Sequence, residues 1–585
     1  MKKSLLFSAV LAGLMLGSCS SSDDLAGGNN TGFNENGDGF VAVAINLPTR
    51  SGVSSRANDV FGDGEANEYE VKNAKLLLFN GADEASATFV QAYPLTSLES
   101  GNKGDADKQI TTHYEQTVKI SSSGLTKNIY ALVVLNDNGQ NYTVGDKLSK
   151  ILTVESSTLK NNGFLMTNAP LSTKVGAASF DGAVNTLVPI TEDNIQKTPE
   201  AAKNKAVEIS VERALAKIEM GAGMTAVQSG EFNGPVNEAK GVKDGSKKIY
   251  YTVTGWELAN TNKKTYFSRS WDNTNTWAGY QAAGSSSYRF IGTKSLNDDT
   301  KIPASELYRT YWAIDPNYDA FTSGDLANSK VASVNQDKIK YCLENTFNVA
   351  HQKIQSTTCA IVGVQFFTAD NDAAPTKYTP MPDFYTVDSD PTVMYDRSTI
   401  EKLILGRYVA ANSEALAACI DGTVSALDLL KVTETSTDAG VVSYTVTAEK
   451  SSKWITGKKP TTETLNGWKS GVDVKDLEHV KNGINYYYVP IRHFDEDETP
   501  WSADNKTKSY PNEDGKAEQN WLGRYGVLRN NWYLLNISDI AGFGSANVPD
   551  LENNTDDDDN LKEYISVKIN VLSWAKRTQD AILGQ

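Results

Sequence analysis

Hydrophobic and polar residues alternate most regularly near the two ends of this chain. Val41-Ala42-Val43-Ala44-Ile45-Asn46-Leu47 and Ile565-Ser566-Val567-Lys568-Ile569-Asn570-Val571 each place four aliphatic side chains on one face of an extended backbone. Val41, Val43, Ile45 and Leu47 match Ile565, Val567, Ile569 and Val571 in number, spacing and bulk. Between them, short apolar or alternating runs bounded by Gly, Asn and Ser predict further strands. These fall at Lys75–Phe79, Thr117–Ile120, Ile129–Leu135, Val207–Met220, Ile249–Trp256, Tyr311–Ile314, Thr358–Phe367, Val441–Ala448, Tyr486–Ile491 and Trp532–Ile537. Helix is sparse. Ile400, Leu403, Ile404, Tyr408, Ala411 and Leu416 recur near a 3.6-residue period over Thr399–Ala418, and Lys147–Leu152 predicts one short turn. Many short strands with turn signals predict a mainly β protein of antiparallel sandwiches rather than an α/β enzyme. No repeat of solenoid period is visible.

A length of 585 residues is too great for one ordinary core, so two or more domains are expected. The net charge of −16 argues against nucleic acid or anionic lipid as the main partner. Lys2-Lys3 precede a mostly apolar run from Leu5 to Leu16, too short to span a bilayer stably, which reads as a signal peptide. Leu16-Gly17-Ser18-Cys19 resembles the bacterial lipobox, cut before a cysteine that then carries lipid, and acyl chains (palmitate) on Cys19 would anchor the chain without a transmembrane helix. The alternative is a secreted protein whose signal peptide happens to contain a cysteine. Ser20 to Asp24 resembles the acidic signal that sends lipoproteins of Bacteroidetes-type bacteria to the cell surface. From Cys19 to about Gly39 the chain is a polar tether, and residues 49–68 are again small and polar, with Arg50 and Arg56 open to a protease that cuts after arginine. Asn553 to Asn560, with four adjacent aspartates, predicts an extended, solvated tether. A calcium loop is the alternative there, but the glycine and glutamate of an EF-hand are missing.

Little points to catalysis. Beyond Cys19 there are Cys342, Cys359 and Cys419, an odd number without a C-x-x-C, so one pair or free buried thiols are the choices and a zinc ribbon is not expected. His113, His351, His479 and His493 are scattered and form no H-E-x-x-H. Gly542-Phe543-Gly544 lacks the third glycine of a dinucleotide fingerprint, and no phosphate loop is present. Asp495-Glu496-Asp497-Glu498 could supply paired carboxylates for glycoside hydrolysis, but beside Pro500 they read better as a solvated loop. No catalytic residue, metal or cofactor is expected.

Several segments resemble the Mfa-type fimbrillins, shaft subunits of the short fimbriae of Bacteroidetes bacteria. They are Val211–Ile218 (VERALAKI), Tyr311–Tyr318 (YWAIDPNY), Tyr341–Thr346 (YCLENT), Gly526–Tyr533 (GVLRNNWY) and Ser566–Trp574 (SVKINVLSW). The resemblance implies two transthyretin-like β-sandwich domains with few short helices. It implies a surface lipoprotein precursor in the outer membrane, trimmed by an arginine-specific protease at Arg56, with Arg50 as second choice. It also implies partners: copies of the chain itself in a filament, with accessory fimbrial subunits. The corresponding division is 1–18 signal peptide, 19–56 lipidated propeptide with a removable first strand, 57–225 N-terminal sandwich, 226–550 C-terminal sandwich, and 551–585 acidic tether with a donor strand.

Strand exchange is physically coherent with this pattern. A strand laid in a sheet gains main-chain hydrogen bonds while pockets below take alternate side chains. Four buried aliphatic side chains contribute roughly 6–12 kcal/mol before ordering costs. With the donor at one end and the groove near the other, contacts run head-to-tail and build a filament. The simpler expectation is that both strands stay in their own sandwiches. Rival functions are a surface glycan-binding lipoprotein, whose Trp and Tyr would stack on sugars, and a fimbrial tip or anchor subunit.

Overall fold

A computed structural model describes residues 32–47, 65–100, 112–137, 139–150, 152–154, 163–172, 184–270, 308–309, 312–387, 390–436, 443–468, 477–493, 523–558 and 565–573. The chain is mainly β, arranged as several sheets around distinct apolar cores. Sequence alternation sets the first sheet. Along its main path the strands are β1 (Asp38–Leu47), β2 (Ala74–Asn80), β3 (Thr88–Pro94), β4 (Glu99–Ser100), β5 (Thr112–Ser121), β6 (Ile129–Leu135), β7 (Met166–Asn168) and β8 (Val207–Arg213), in the spatial order β3-β2-β6-β7-β8-β1-β5-β4, and a ninth, Val188–Ile190, pairs with β6 off this path. A local turn launches β1. The Asn34 carboxamide oxygen accepts from the Asn36 and Asp38 amides at 2.9 and 3.0 Å, and Gly37 holds φ +75. A side chain at Gly37 would strike the Ser122 hydroxyl, 2.5 Å from the Cβ position.

The run Val207–Met220, expected as one long strand, is two. Ala214 interrupts it, its amide donating to the Leu165 carbonyl at 2.9 Å, and the second half is β9 (Leu215–Met220). β9 belongs to another sheet with β10 (Ile339–Leu343), β11 (Asn531–Ile540) and β12 (Ile565–Ser573), in the order β10-β9-β11-β12. The two sheets repeat one pattern of directions. β8 pairs antiparallel with β7 and parallel with β1, which pairs antiparallel with β5. β9 pairs antiparallel with β10 and parallel with β11, which pairs antiparallel with β12.

Apolar residues follow the same partition. The first core gathers Val41, Leu77, Val133, Ile209 and their neighbours, and the second gathers Ile218, Trp256, Val364, Tyr487 and Leu535. A third cluster, not foreseen, packs helices α2 (Arg397–Ala411) and α3 (Ser413–Ala417) on Tyr385, Val446 and Leu477. Asp396 caps α2 by accepting the Thr399 amide at 2.6 Å. The predicted helix therefore begins as expected but breaks at Asn412. A short helix, α1 (Pro199–Lys203), packs against β1 and β5.

Two further expectations fail. Trp312 to Ile314 form no strand; Trp312 and Ala313 are buried in irregular backbone. The described part of the acidic run, up to Asp558, is docked through its main chain, although the Asp556 side chain stays exposed. The Ile354 and Gln355 amides donate to the carbonyls of Asp556 and Asn554 at 2.9 Å each, Lys353 pairs with Asp557, and Asp558 is buried, accepting from the Thr357 hydroxyl at 3.0 Å. Repulsion between the aspartates is offset because their main chain is pinned and a lysine stands beside them.

Candidate strand-exchange site

β1 lies inside its sheet, with a neighbour on each side. Against β5 its register runs continuously from Asp38 opposite Ser121 to Leu47 opposite Thr112, and against β8 from Val43 beside Val207 to Asn46 beside Ser210. Val41, Val43 and Ile45 are 0 % exposed and Leu47 is 1 % exposed, all four in the first core. The opposite face is closed as well: Ala42, Ala44 and Asn46 are buried, and the Asn46 amide donates to Glu208 at 2.7 Å. Taking β1 away would leave β8 and β5 with unpaired backbone edges and an apolar slot between them. Cys19, Arg50 and Arg56 lie outside the described residues, as does the Asp495–Glu498 run.

The C-terminal residues Ile565, Val567, Ile569 and Val571 stand in β12 opposite Ile540, Ile537, Leu535 and Tyr533 of β11. In the sheet order β12 is terminal, paired through β11 alone. By place in its sheet it corresponds to β5 and not to β1. Its likeness to β1 is one of side-chain pattern. The structure thus places the two look-alike strands in different sheets and does not bring them together.

Four of the five segments that carry the family resemblance converge on a buried polar seam where β8 passes into β9. The Arg529 guanidinium, fully buried, donates to Glu344 Oε1 at 2.5 and 3.0 Å, to the Thr265 hydroxyl at 2.6 Å and to the Tyr266 carbonyl at 2.7 Å. Arg269 grips Glu212 through both carboxylate oxygens at 2.8 and 2.7 Å and reaches the Arg529 carbonyl at 3.1 Å. Asp315 accepts from the Thr346 amide and the Asn262 side chain at 2.7 Å each and from the Asn317 amide at 2.6 Å. Burial pushes its carboxyl up to about 7 despite those donors. Asn530, at φ +60, turns the chain so that its amide donates to the Leu215 carbonyl at 2.8 Å. Gly526, at φ +128, lies against Trp312, whose ring would sit 3.2 Å from an added Cβ.

Glu68 joins this seam from downstream of Arg56, and sequence reasoning missed it. It is 0 % exposed, pairs with Lys217 at 2.9 Å and accepts from the Tyr341 hydroxyl, while its carbonyl takes Arg213 Nε at 2.7 Å. Lys217 also stands 4.0 Å from the centre of the Trp532 ring. Nothing local in the sequence marks Glu68, because its partners lie far along the chain.

The cysteines and the described histidines make local contacts only. Cys342, Cys359 and Cys419 are free thiols, and burial pushes Cys342 up to about 12. His493 Nδ1 meets the Tyr533 hydroxyl at 2.8 Å, His351 Nδ1 lies 3.2 Å from the Tyr318 carbonyl, and His479 stacks on Tyr385 between Asp383 and Glu434. His113 lies on β5. Among the described residues, no three His, Cys, Asp or Glu side chains gather as a metal site.

Residues 479–580 match the family described as major fimbrial subunit protein type IV, fimbrillin, C-terminal. The match takes in β11 and β12 and two of the five segments that carry the resemblance, Gly526–Tyr533 and Ser566–Trp574. The likeness to fimbrillins is therefore borne out over the C-terminal part of the chain. No curated protein matches the sequence. Similar solved structures include a candidate cell adhesion protein from Parabacteroides distasonis at 10% identity, covering 91% of this chain and 96% of that one, TM-score 0.34. A candidate cell adhesion protein from Bacteroides eggerthii is 11% identical, covering 94% and 98%, TM-score 0.29. The C-terminally truncated tip fimbrial protein Mfa3 from Porphyromonas gingivalis is 10% identical, covering 92% and 100%, TM-score 0.25. Overlays this loose carry no argument about what this chain does.

Proposed function

We propose that this chain, fimbrillin-like over residues 479–580, is a structural subunit of a cell-surface fimbria, exported as a lipoprotein on Cys19 and trimmed after Arg56 or, second, Arg50. Trimming releases β1, and the terminal strand of another copy enters the groove. Repetition of that step builds a head-to-tail filament that supports adhesion, with no catalytic centre, cofactor or metal. The division into propeptide (19–56), N-terminal sandwich (57–225), C-terminal sandwich (226–550) and donor segment (551–585) belongs to the same reading.

One observation carries the proposal: β1 is the first strand among the described residues, yet it is wholly embedded between β8 and β5. A terminal strand can leave a sheet without threading, and leaving this one opens a groove four aliphatic side chains long. A strand with the same spacing waits at the far end of the chain, on a sheet border. Incubating the purified precursor with an arginine-specific protease tests the reading. Filaments visible by electron microscopy are expected, and particles that stay monomeric after complete trimming would refute it and favour the glycan-binding alternative.

A further inference from the structure

We infer that the outward face of the incoming strand, and not its aliphatic face alone, fixes how it seats, with Lys568 of a second copy entering between Glu115 and Glu208. The inference rests on the donor-strand reading. Both strands contain an Ile-Asn-aliphatic triplet, Ile45-Asn46-Leu47 and Ile569-Asn570-Val571. Superposing those triplets sets Ser566 at the place of Ala42, Lys568 at that of Ala44 and Asn570 at that of Asn46.

Each of these three places has a matching partner in the groove. Glu99 faces Glu115, Glu115 faces Ala44, and Ala44 faces Glu208, so three carboxylates stand in one row across β4, β5, β1 and β8 with an alanine among them. Glu99, Glu115 and Glu208 are all exposed. Like charges directly opposite one another are unfavourable, so a cation seated within this row is favoured. Lys568 supplies one at its middle, its stem lying along the sheet and its ammonium at the rim. At Asn46 the precursor already donates to Glu208 at 2.7 Å, a bond Asn570 can reproduce. Opposite Ala42, the Thr117 hydroxyl is buried without a hydrogen-bond partner. Ser566 provides one.

This polar match decides the register. Aliphatic side chains at every second residue tolerate a slip by two. A slip one way sets Lys568 opposite Thr117, and a slip the other way sets it opposite His113 and beside Ser210. In neither case does it have a carboxylate directly across on both sides. Seating has a structural consequence too. Ala44 is 0 % exposed and α1 packs on β1 and β5, so a lysine stem at that place moves α1 outward.

The test uses the full chain and the arginine-specific protease, with assembly followed as a ladder on a partially denaturing gel. Because every copy is both donor and acceptor, Lys568→Glu with Glu115→Lys swaps the pair within one chain. Each single substitution is expected to slow assembly by roughly tenfold or more at low salt, less at high salt, and the double substitution to restore most of the rate. Thermal melting of each uncut precursor separates these effects from folding. A chain truncated before Tyr564 is the control. If truncation abolishes assembly while Lys568→Glu assembles at the wild-type rate, the inference falls and the donor reading stands; if the truncated chain assembles normally, the donor reading falls first. Ser566→Cys with Thr117→Cys, under a mild oxidant, is expected to cross-link neighbouring subunits, and assembled filaments without that cross-link overturn the register.

Discussion

The same substitution should weaken the precursor and leave the filament untouched when it is made in β1. Ile45 is 0 % exposed within the first core, flanked in register by Tyr114 and Ile209. Ile45→Ala removes buried carbon and leaves a void that a strand fixed on both sides cannot close, a cost of about 2–5 kcal/mol. For a core assembled mainly from residues 33–215, with Phe267 and Leu343 added, that corresponds to a fall in melting temperature of about 4–20 °C. On the proposed exchange, trimming removes β1 and the filament no longer contains residue 45. Ile569→Ala is the mirror case: it lies on a border strand of the precursor but would enter the core of a neighbour. Scanning calorimetry of the uncut chain and of preformed filaments should therefore show opposite sensitivities. A filament from the Ile45→Ala chain that melts as low as its precursor would mean that β1 stays in place, and the exchange argument would be wrong.

Other consequences can be measured directly. Arg56→Ala, with Arg50→Ala if needed, should leave a lipid-anchored monomer, and an unchanged ladder on a partially denaturing gel would count against trimming. Truncation before Tyr564 should yield a folded subunit unable to donate, since β12 borders its sheet; normal assembly would contradict this. Arg529→Ala strands Glu344 without its buried partner and should cost about 3–5 kcal/mol, seen as a lower urea midpoint in the precursor. Stability should also decline as pH rises. The Asp315 carboxyl is raised from 3.8 to about 7 in the folded chain, so the folded state holds a proton that the unfolded state has already lost. That contribution is fully present below pH 4 and is lost by about pH 7, at about 1.4 kcal/mol per unit. Glu84, raised by burial, acts in the same sense. Urea midpoints that rise between pH 4 and 7, or a slope that Asp315→Asn does not flatten, would contradict it.

Local pattern carried most of the strands into view because two-residue alternation needs no distant partner to be recognised. Ile129–Leu135 appears as read, and β1 and β12 extend their predicted cores by few residues. The pattern could not locate the break at Ala214. Both sides of it alternate, and the break is made by Leu165 and Asn530, far away in sequence. The acidic run misled for a related reason: like charges repel, but Lys353 and two donated amides hold it down from about two hundred residues upstream. Charged motif residues were equally opaque. Nothing in the sequence marks Arg529 and Glu344 as a buried pair, because charged side chains are seldom fully buried unless paired, and pairing across the chain leaves no periodic trace. For the exchange site, the aliphatic faces were legible; the carboxylate row and the orphan Thr117 hydroxyl needed the register.

On the proposed exchange, the same register would let one subunit hold a neighbour and be held by another without the two grips being independent. The strand that walls the groove, β8, continues through Ala214 into β9, which pairs with β11, which carries β12. Acceptor wall and donor strand are thus joined by one covalent segment and two hydrogen-bonded strands. Where that segment crosses from sheet to sheet, Arg213, Lys217 and Glu212 are held by buried ionic and hydrogen bonds, and Glu68 ties down the chain that remains beyond Arg56. A load pulling on an inserted tail is passed along strands in their stiff direction rather than through a loop. Loosening the seam should therefore weaken filaments under tension more than it weakens the isolated subunit, and Lys217→Met, which leaves Glu68 buried without its cation, is the substitution that would expose the difference.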